Sequence, residues 1–313
     1  MDTPDADIDV DQALVARLVR EQHPDLQGDL TLVANGWDNA LYRLGERLCV
    51  RVPRRQVAAA LIAGEQRWLP VFAERVRVPI PVPVRVGVPS ESFPWPWSIC
   101  PWFAGRTAGD VQASDRAGMA GDLAEFLTQL HVPAPVIGQE ADAVPHNPVR
   151  GVALHTRSRA VHERLARVAV PHADAVHALW HHLTRAEEWT GPRIWIHGDL
   201  HPANILLAEP AGPAELAGPD AGASARVAAV LDFGDLTAGD PATDLAVGWL
   251  ALDAAARADF RSRLPQYADD DAIWQRARGW ALNMATAMAA HSDDNPRMAA
   301  IGRHALEQVL LDE

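Results

Sequence analysis

Residues 193–234 constrain this chain most, because two short apolar stretches each run directly into a cluster of polar side chains. Arg193-Ile194-Trp195-Ile196 reads as a strand and leads into His197-Gly198-Asp199-Leu200-His201-Pro202-Ala203-Asn204. Val227-Ala228-Ala229-Val230-Leu231 reads as a second strand and ends on Asp232-Phe233-Gly234. Short apolar runs bounded by Gly, Pro, Asn and Asp suit buried strands. A strand, a loop and a second strand would bring Asp199, Asn204 and Asp232 together. The intervening stretch 208–226 is rich in Ala, Gly and Pro and reads as an exposed, mobile insertion.

Those three residue types match what phosphoryl transfer asks of a protein. A carboxylate must orient the attacking hydroxyl and accept its proton, which suits Asp199. Hard oxygen ligands must hold magnesium against the nucleotide phosphates, which suits Asn204 and Asp232.

The segments 195–207 and 230–246 (the latter VLDFGDLTAGDPATDLA) closely resemble the aminoglycoside-phosphotransferase family, and a weaker likeness covers most of 30–250. That family has a protein-kinase-like fold and phosphorylates small-molecule hydroxyls with a nucleoside triphosphate. Its catalytic loop carries His-Gly-Asp-(x4)-Asn where protein kinases carry His-Arg-Asp-(x4)-Asn. The resemblance implies a two-lobed α+β fold. Residues 1–103 would form an antiparallel-sheet lobe that binds nucleotide and includes the hinge. Residues 104–313 would form a mainly helical lobe for catalysis and substrate. On the same match Asp199 is catalytic, Asn204 and Asp232 hold Mg2+, and ATP or GTP is the donor. Asp240 reads as a helix cap, Asp244 as a brace for the catalytic loop, and His197 as a residue that fixes the loop backbone.

The first hundred residues fit a nucleotide lobe. Helical spacing runs over 9–22 and 56–73, and strands over 31–33, 40–44, 48–52 and 97–100. The stretch 78–89, with Pro79, Pro81, Pro83 and Pro89, is extended chain, either an edge strand or a connector. Gly36 and Asn39 lie in a strand–turn–strand segment whose amides can cover phosphates, although Asn-Gly is first of all a turn former. By resemblance Arg51 takes the place of the phosphate-binding basic residue, with Glu65 to orient it. Arg54 and Arg55 read as surface charges. Cys100, Pro101, Trp102 and Phe103 form the hinge. There the resemblance implies that the Pro101 carbonyl accepts from the base, the Phe103 amide donates to it and Cys100 lines the back of the slot. Trp102 and Phe103 also read as plain hydrophobic anchors.

Composition narrows the partners. The net charge is -13, so nucleic acid is not an expected partner. All 28 basic residues are arginine, so any nucleotide grip does without lysine. No apolar run approaches the ~20 residues that cross a membrane. The start of the chain is acidic and lacks a secretion pattern. Two cysteines, Cys49 and Cys100, form no paired motif, and a cytoplasmic setting is expected. The balance is -11 over 104–313, from 28 acids and 17 arginines. That excess either draws in a cationic acceptor or merely confers solubility.

The resemblance and this charge together point to an aminoglycoside-type or other cationic antibiotic as acceptor. Macrolides and metabolites such as amino alcohols are the alternatives. Candidate acceptor residues are Asp235, Trp249 and Asp253, with Trp280, Glu307 and the acidic run 269–271 further off. Two other readings compete. His197-x-Asp199-x-His201 could hold a transition metal, and the chain could bind nucleotide as a regulator without catalysis.

Overall fold

The computed structural model describes residues 5–26, 28–136, 138, 144–167, 170, 172–208 and 225–312. Most of the expected insertion at 208–226 therefore lies outside the described residues. The chain divides into two compact units. One holds residues up to Phe103 together with Leu231–Gly234, and the other holds Ala104–Val230 with the rest of the chain from Asp235. A boundary at 103 does not foresee that Leu231–Gly234 belongs with the first unit.

The first unit is a five-stranded antiparallel sheet with two helices. Its elements are α1 (Gln12–Gln22), β1 (Leu30–Asn35), β2 (Asn39–Leu44), β3 (Leu48–Pro53), α2 (Gln56–Ala73), β4 (Arg85–Gly87) and β5 (Trp97–Pro101). The strand order is β1-β2-β3-β5-β4. Asp11 caps α1 by accepting from the Leu14 amide at 2.7 Å, a bond worth about 1 kcal/mol. On β2, Ala40, Tyr42 and Leu44 point inward and alternate with half-buried neighbours, as a pleated strand requires. They pack with Val50 and Val52 of β3 and with Val15, Leu18 and Val19 of α1. The opposite face of β3 presents Arg51 to Glu65 of α2. Strand β3 is thus covered on both faces, and its side chains alternate between apolar packing and an ion pair. The proline-rich stretch yields only the three-residue β4, at the sheet edge, where Pro is tolerated.

The second unit is mainly helical. It contains α3 (Met119–Leu130), α4 (Ser158–Arg167), α5 (Ala173–Leu183), α6 (Ala242–Leu245), α7 (Val247–Ala251), α8 (Ala254–Ser262), α9 (Asp271–His291) and α10 (Pro296–Leu311). Helix α9 is buried along most of its length and packs against α4, α5, α6 and α10. A helix apolar on nearly all sides belongs at the centre of a bundle. Its start is capped by Asp270, which accepts from Ile273 at 2.8 Å.

Five short strands complete this unit: β6 (Arg106–Thr107), β7 (Ile194–Ile196), β8 (Ile205–Leu207), β9 (Val227–Val230) and β10 (Thr237–Gly239). β7 pairs antiparallel with β10, and β6, β8 and β9 form a second small sheet. The loop 197–204 therefore hangs between β7 and β8, each anchored in a different sheet. The sequence signals only β7 and β9. The other strands are too short to show a period.

Candidate active site

In the helical unit, the loop after β7 is tied down by a buried carboxylate. Asp244 of α6 is fully buried and accepts from the amides of His197 at 2.7 Å and Gly198 at 2.9 Å. His131 Nε2 reaches the same carboxylate at 3.2 Å, and its Nδ1 meets the Tyr267 hydroxyl at 2.9 Å. Gly198 has φ +87, and a Cβ there would lie 2.3 Å from the Asp235 carbonyl oxygen. Only glycine fits that approach. Nearby, Asp240 accepts from the Ala242 amide and pairs with Arg276 at 2.7 Å, so it anchors α6 to α9 as well as capping it.

This frame aims Asp199. Its amide donates to His197 Nδ1 at 3.2 Å, and its carbonyl accepts from Asn204 Nδ2 at 3.0 Å. His201 Nδ1 accepts from the Ala203 amide, which assigns the ring hydrogen to Nε2, 3.3 Å from Asp199 Oδ2. Arg150 Nη2 donates to Asp199 Oδ1 at 2.6 Å, and Arg150 Nε stands 3.6 Å from Asp235 Oδ2. Asn147 completes the group by donating to Asp235 at 2.7 Å and accepting the Arg150 amide at 3.1 Å. Burial raises the Asp199 pKa, but the charge of Arg150 and then the contact with His201 outweigh it and hold the carboxyl below its ordinary range.

Arg150, Asn147, His131 and Tyr267 carry no motif in the sequence. Arg150 sits 49 residues before Asp199, and only the tertiary fold brings them together.

In the sheet unit, Arg51 Nη1 donates to both Glu65 oxygens at 2.8 Å, and its Nη2 reaches Asp232 Oδ1 at 3.3 Å. Glu65 is buried and also accepts the Phe233 amide. Burial pushes the Glu65 carboxyl up against the opposing pull of Arg51. Asp232 adopts φ +59, a left-handed conformation that costs on the order of 1–3 kcal/mol outside glycine. The Arg51 contact, the Phe233 amide bond and the buried Phe233 ring hold it there. The Asp232 side chain is 58% exposed and meets Arg51 through Oδ1. The exposed Asp232 carboxylate is a hard oxygen donor of the kind that suits magnesium.

The 35–39 turn is pinned by residues that read as surface charges. The Gly36 amide donates to the Asn39 carbonyl at 2.9 Å, and Arg54 Nη1 donates to the Gly36 carbonyl at 2.8 Å. Arg55 reaches Asp38 at 3.2 Å. Arg54 and Arg55 are therefore turn clamps, a correction to the expectation. Asn39 Oδ1 is buried without a partner.

In the hinge, Cys100 lies opposite Cys49 across β5 and β3, and both are buried, free thiols. Burial raises the Cys49 pKa to about 11 and that of Cys100 further. The Pro101 carbonyl takes a long contact from Cys49 Sγ, 3.6 Å. Arg43 stacks over Trp102 at 4.2 Å, and Phe103 is half-buried.

The acceptor candidates divide. Asp235 belongs to the Asp199 group through Arg150 and Asn147. Trp249 does not reach any acceptor: it is fully buried, donates to Asp312 at 2.9 Å and lies under Arg257. Its place in an uninterrupted buried run, 242–252, makes it core. Asp253 is the cap of α8, accepting from Ala256 at 2.9 Å. Trp280 is wholly buried in α9. Asp269, Asp270 and Asp271 line a cavity of about 390 Å³ with Glu187, Glu188 and Arg276, and neither Asp199 nor Asn204 borders it. The transition-metal reading finds no support among the described residues. The Nδ1 atoms of His197 and His201 are taken by loop amides, and among the described residues no three His, Cys, Asp or Glu side chains form a metal cluster.

The chain resembles several solved structures that bear on this geometry. It aligns with the GDP complex of wild-type aminoglycoside 2'-phosphotransferase-IIIa at 18% identity, covering 96% of this chain and 99% of that one, with a TM-score of 0.66. The GDP and kanamycin complex of APH(2")-IIia matches at 18% identity, 94% and 97% coverage and a TM-score of 0.65. Macrolide 2'-phosphotransferase MphH from Brachybacterium faecium matches at 20% identity, 96% and 98% coverage and a TM-score of 0.56. These likenesses establish the protein-kinase-like α+β fold. No curated protein sequence matches. The profile of the phosphotransferase enzyme family covers residues 29–280, and the chain belongs to that family.

Proposed function

We propose that this enzyme transfers the γ-phosphoryl group of ATP or GTP to a hydroxyl of a small molecule. The observation that carries the reading is the state of Asp199. The two residues before it are pinned by a buried carboxylate, and its side chain is kept ionised by Arg150 and His201. A strongly ionised carboxylate is a weak base. It suffices here because phosphoryl transfer passes through a loose transition state that asks mainly for alignment of the hydroxyl. Asp199 orients the acceptor oxygen and takes its proton.

Asn204 and Asp232 are each proposed to offer oxygen to magnesium, which would offset the charge of the phosphates. Arg51, held by Glu65, grips phosphate oxygens through the fork geometry that a lysine lacks. The Gly36–Asn39 turn covers the phosphates. The Pro101 carbonyl and the Phe103 amide meet the base, with Cys100 behind it.

The neighbouring structures make aminoglycosides and macrolides the first acceptors to test, followed by amino alcohols. The acidic balance of 104–313 supports a cationic acceptor, but two of the residues proposed to meet one, Trp249 and Asp253, have structural duties. Two buried free thiols and the lack of a membrane-spanning helix among the described residues support a cytoplasmic setting.

The test is Asp199→Asn assayed with MgATP and MgGTP. Turnover should fall by about 100-fold or more while nucleotide affinity is kept. Undiminished turnover would refute the assignment. A regulator without catalysis would bind nucleotide and turn over nothing, in wild type and variant alike.

A further inference from the structure

The carboxylate that pins the Asp199 loop is itself held from behind. Asp244 is wholly buried, and three donors meet it: the amides of His197 and Gly198 and, at 3.2 Å, His131 Nε2. A buried carboxylate needs such donors, and losing one leaves a charged acceptor unanswered in an apolar interior. Two of the three are backbone amides, whose hydrogens have one place to be. The third is an imidazole. Its hydrogen can sit on either nitrogen, and its ring can turn over.

Tyr267 stands where that choice is made. Its hydroxyl lies 2.9 Å from His131 Nδ1, and the two rings meet edge to face with centroids 5.9 Å apart. The His131 side chain is closed to solvent and Tyr267 is buried, so water does not stand in for either contact. Burial raises the Tyr267 pKa, and the charges of Asp244 and Asp240 raise it further, so the phenol keeps its hydrogen. A neutral imidazole between a phenol and a carboxylate then has one consistent arrangement. The Tyr267 hydroxyl donates to Nδ1, and Nε2–H donates to Asp244. In the other tautomer Nε2 would turn a lone pair on the carboxylate, and the anchor of the loop would lose a donor.

Several contacts place this one hydroxyl. Tyr267 closes the short 3-10 turn Pro265–Tyr267. Its carbonyl accepts from Trp274 Nε1 of α9 at 3.0 Å. Its neighbour Gln266 donates to Thr128 of α3 at 3.2 Å, three residues before His131. His131 directly follows α3, and its amide closes that helix on the Leu127 carbonyl at 2.8 Å. Both ends of the Tyr267–His131 bond are thereby fixed by helices rather than by the loop they serve.

We infer that Tyr267 is a positioning residue for Asp199. By donating to Nδ1 it fixes the hydrogen and the orientation of the His131 ring. Through Asp244 it then holds the backbone of His197 and Gly198, the two residues before the base. The inference rests on the kinase reading, in which the aim of Asp199 at the acceptor hydroxyl sets the rate.

The test is Tyr267→Phe, which keeps the ring and removes the donor. Nitrogen-15 NMR should place the imidazole hydrogen on Nε2 of His131 in the wild type and lose that single state in Tyr267→Phe. The His197 and Gly198 amides should exchange with deuterium about tenfold faster in the variant, while amides in the middle of α9 keep their wild-type rates. Turnover is followed with MgATP or MgGTP and the best acceptor among kanamycin, a macrolide and choline. There kcat should fall about fivefold to tenfold with nucleotide KM unchanged.

His131→Gln supplies the second background. Its side-chain amide donates to Asp244 and has no tautomer, so adding Tyr267→Phe to it should change neither loop exchange nor kcat. A cost of Tyr267→Phe that is the same in both backgrounds overturns the inference, because it would mark plain packing. A wild-type imidazole signal and wild-type loop exchange in Tyr267→Phe overturn it as well. Undiminished turnover by Asp199→Asn sinks the kinase reading instead, and the imidazole and exchange measurements still decide whether Tyr267 holds the loop.

Discussion

Burial and charge pull the Asp199 carboxyl in opposite directions. Burial favours the protonated form, and Arg150, helped by His201 and His197, overcomes it. A carboxyl depressed in this way stays ionised above its unfolded pKa and loses its contribution only as pH falls through the lower folded value. Replacing Arg150 by Gln leaves burial opposed only by the histidines. The acid limb of the kcat/KM profile should then move to higher pH, and Arg150→Lys should move it partly back. A limb that stays put would show that Arg150 does not set the charge state of the base. The residues of the proposed site are unevenly legible. Asp199, Asn204 and Asp232 stand out because their spacing is local, and Arg51 with Glu65 because a strand followed by a helix fixes their faces. Arg150 and Asn147 were hidden, since nothing along the chain marks a loop residue whose partner lies 49 positions away. Trp249 was misread for the opposite reason: its aromatic ring drew attention that the unbroken apolar run around it should have dismissed.

At the scale of elements, the helices and the longer strands show their periods in the sequence, and α2 spans the expected 56–73. The short strands do not. β6, β8 and β10 have two or three residues each, fewer than one full alternation, and they exist because partner strands supply their hydrogen bonds. Two sheets that small have little tolerance, and the same holds for β4 at the edge of the large sheet. A Cβ on Gly87 would lie 2.0 Å from the Trp97 ring, which is fully buried beneath it. Gly87→Ala should therefore lift β4 from β5 and destabilise the sheet unit by about 1–3 kcal/mol. Denaturant unfolding followed by tryptophan fluorescence would measure this. An unchanged midpoint would mean that β4 contributes little to the unit.

Across the whole molecule, positive charge comes from arginine alone among the side chains that stay charged at neutral pH and above. Arginine does not titrate in the accessible range, so alkaline behaviour falls to the few thiols and phenols. Burial raises Cys49 from an ordinary 9.0 to about 11, and it raises Cys100, Tyr42 and Tyr267 as well. A group raised on folding stabilises the protein below its unfolded pKa and loses that contribution as pH rises through the folded value. Stability should therefore hold up to about pH 9 and then decline toward 11, with Cys49 alone accounting for about 3 kcal/mol. Urea midpoints across that range would check it, and Cys49→Ala should flatten the slope. Arg51 gives the same composition a second consequence. Acylating nucleotide probes find kinases by reacting with the amine that grips the phosphates. In the proposed site a guanidinium, that of Arg51, takes that place, and no lysine lies anywhere in the chain. Such probes would pass this enzyme by, while a dicarbonyl reagent selective for guanidinium would find Arg51 and should be blocked when nucleotide is bound.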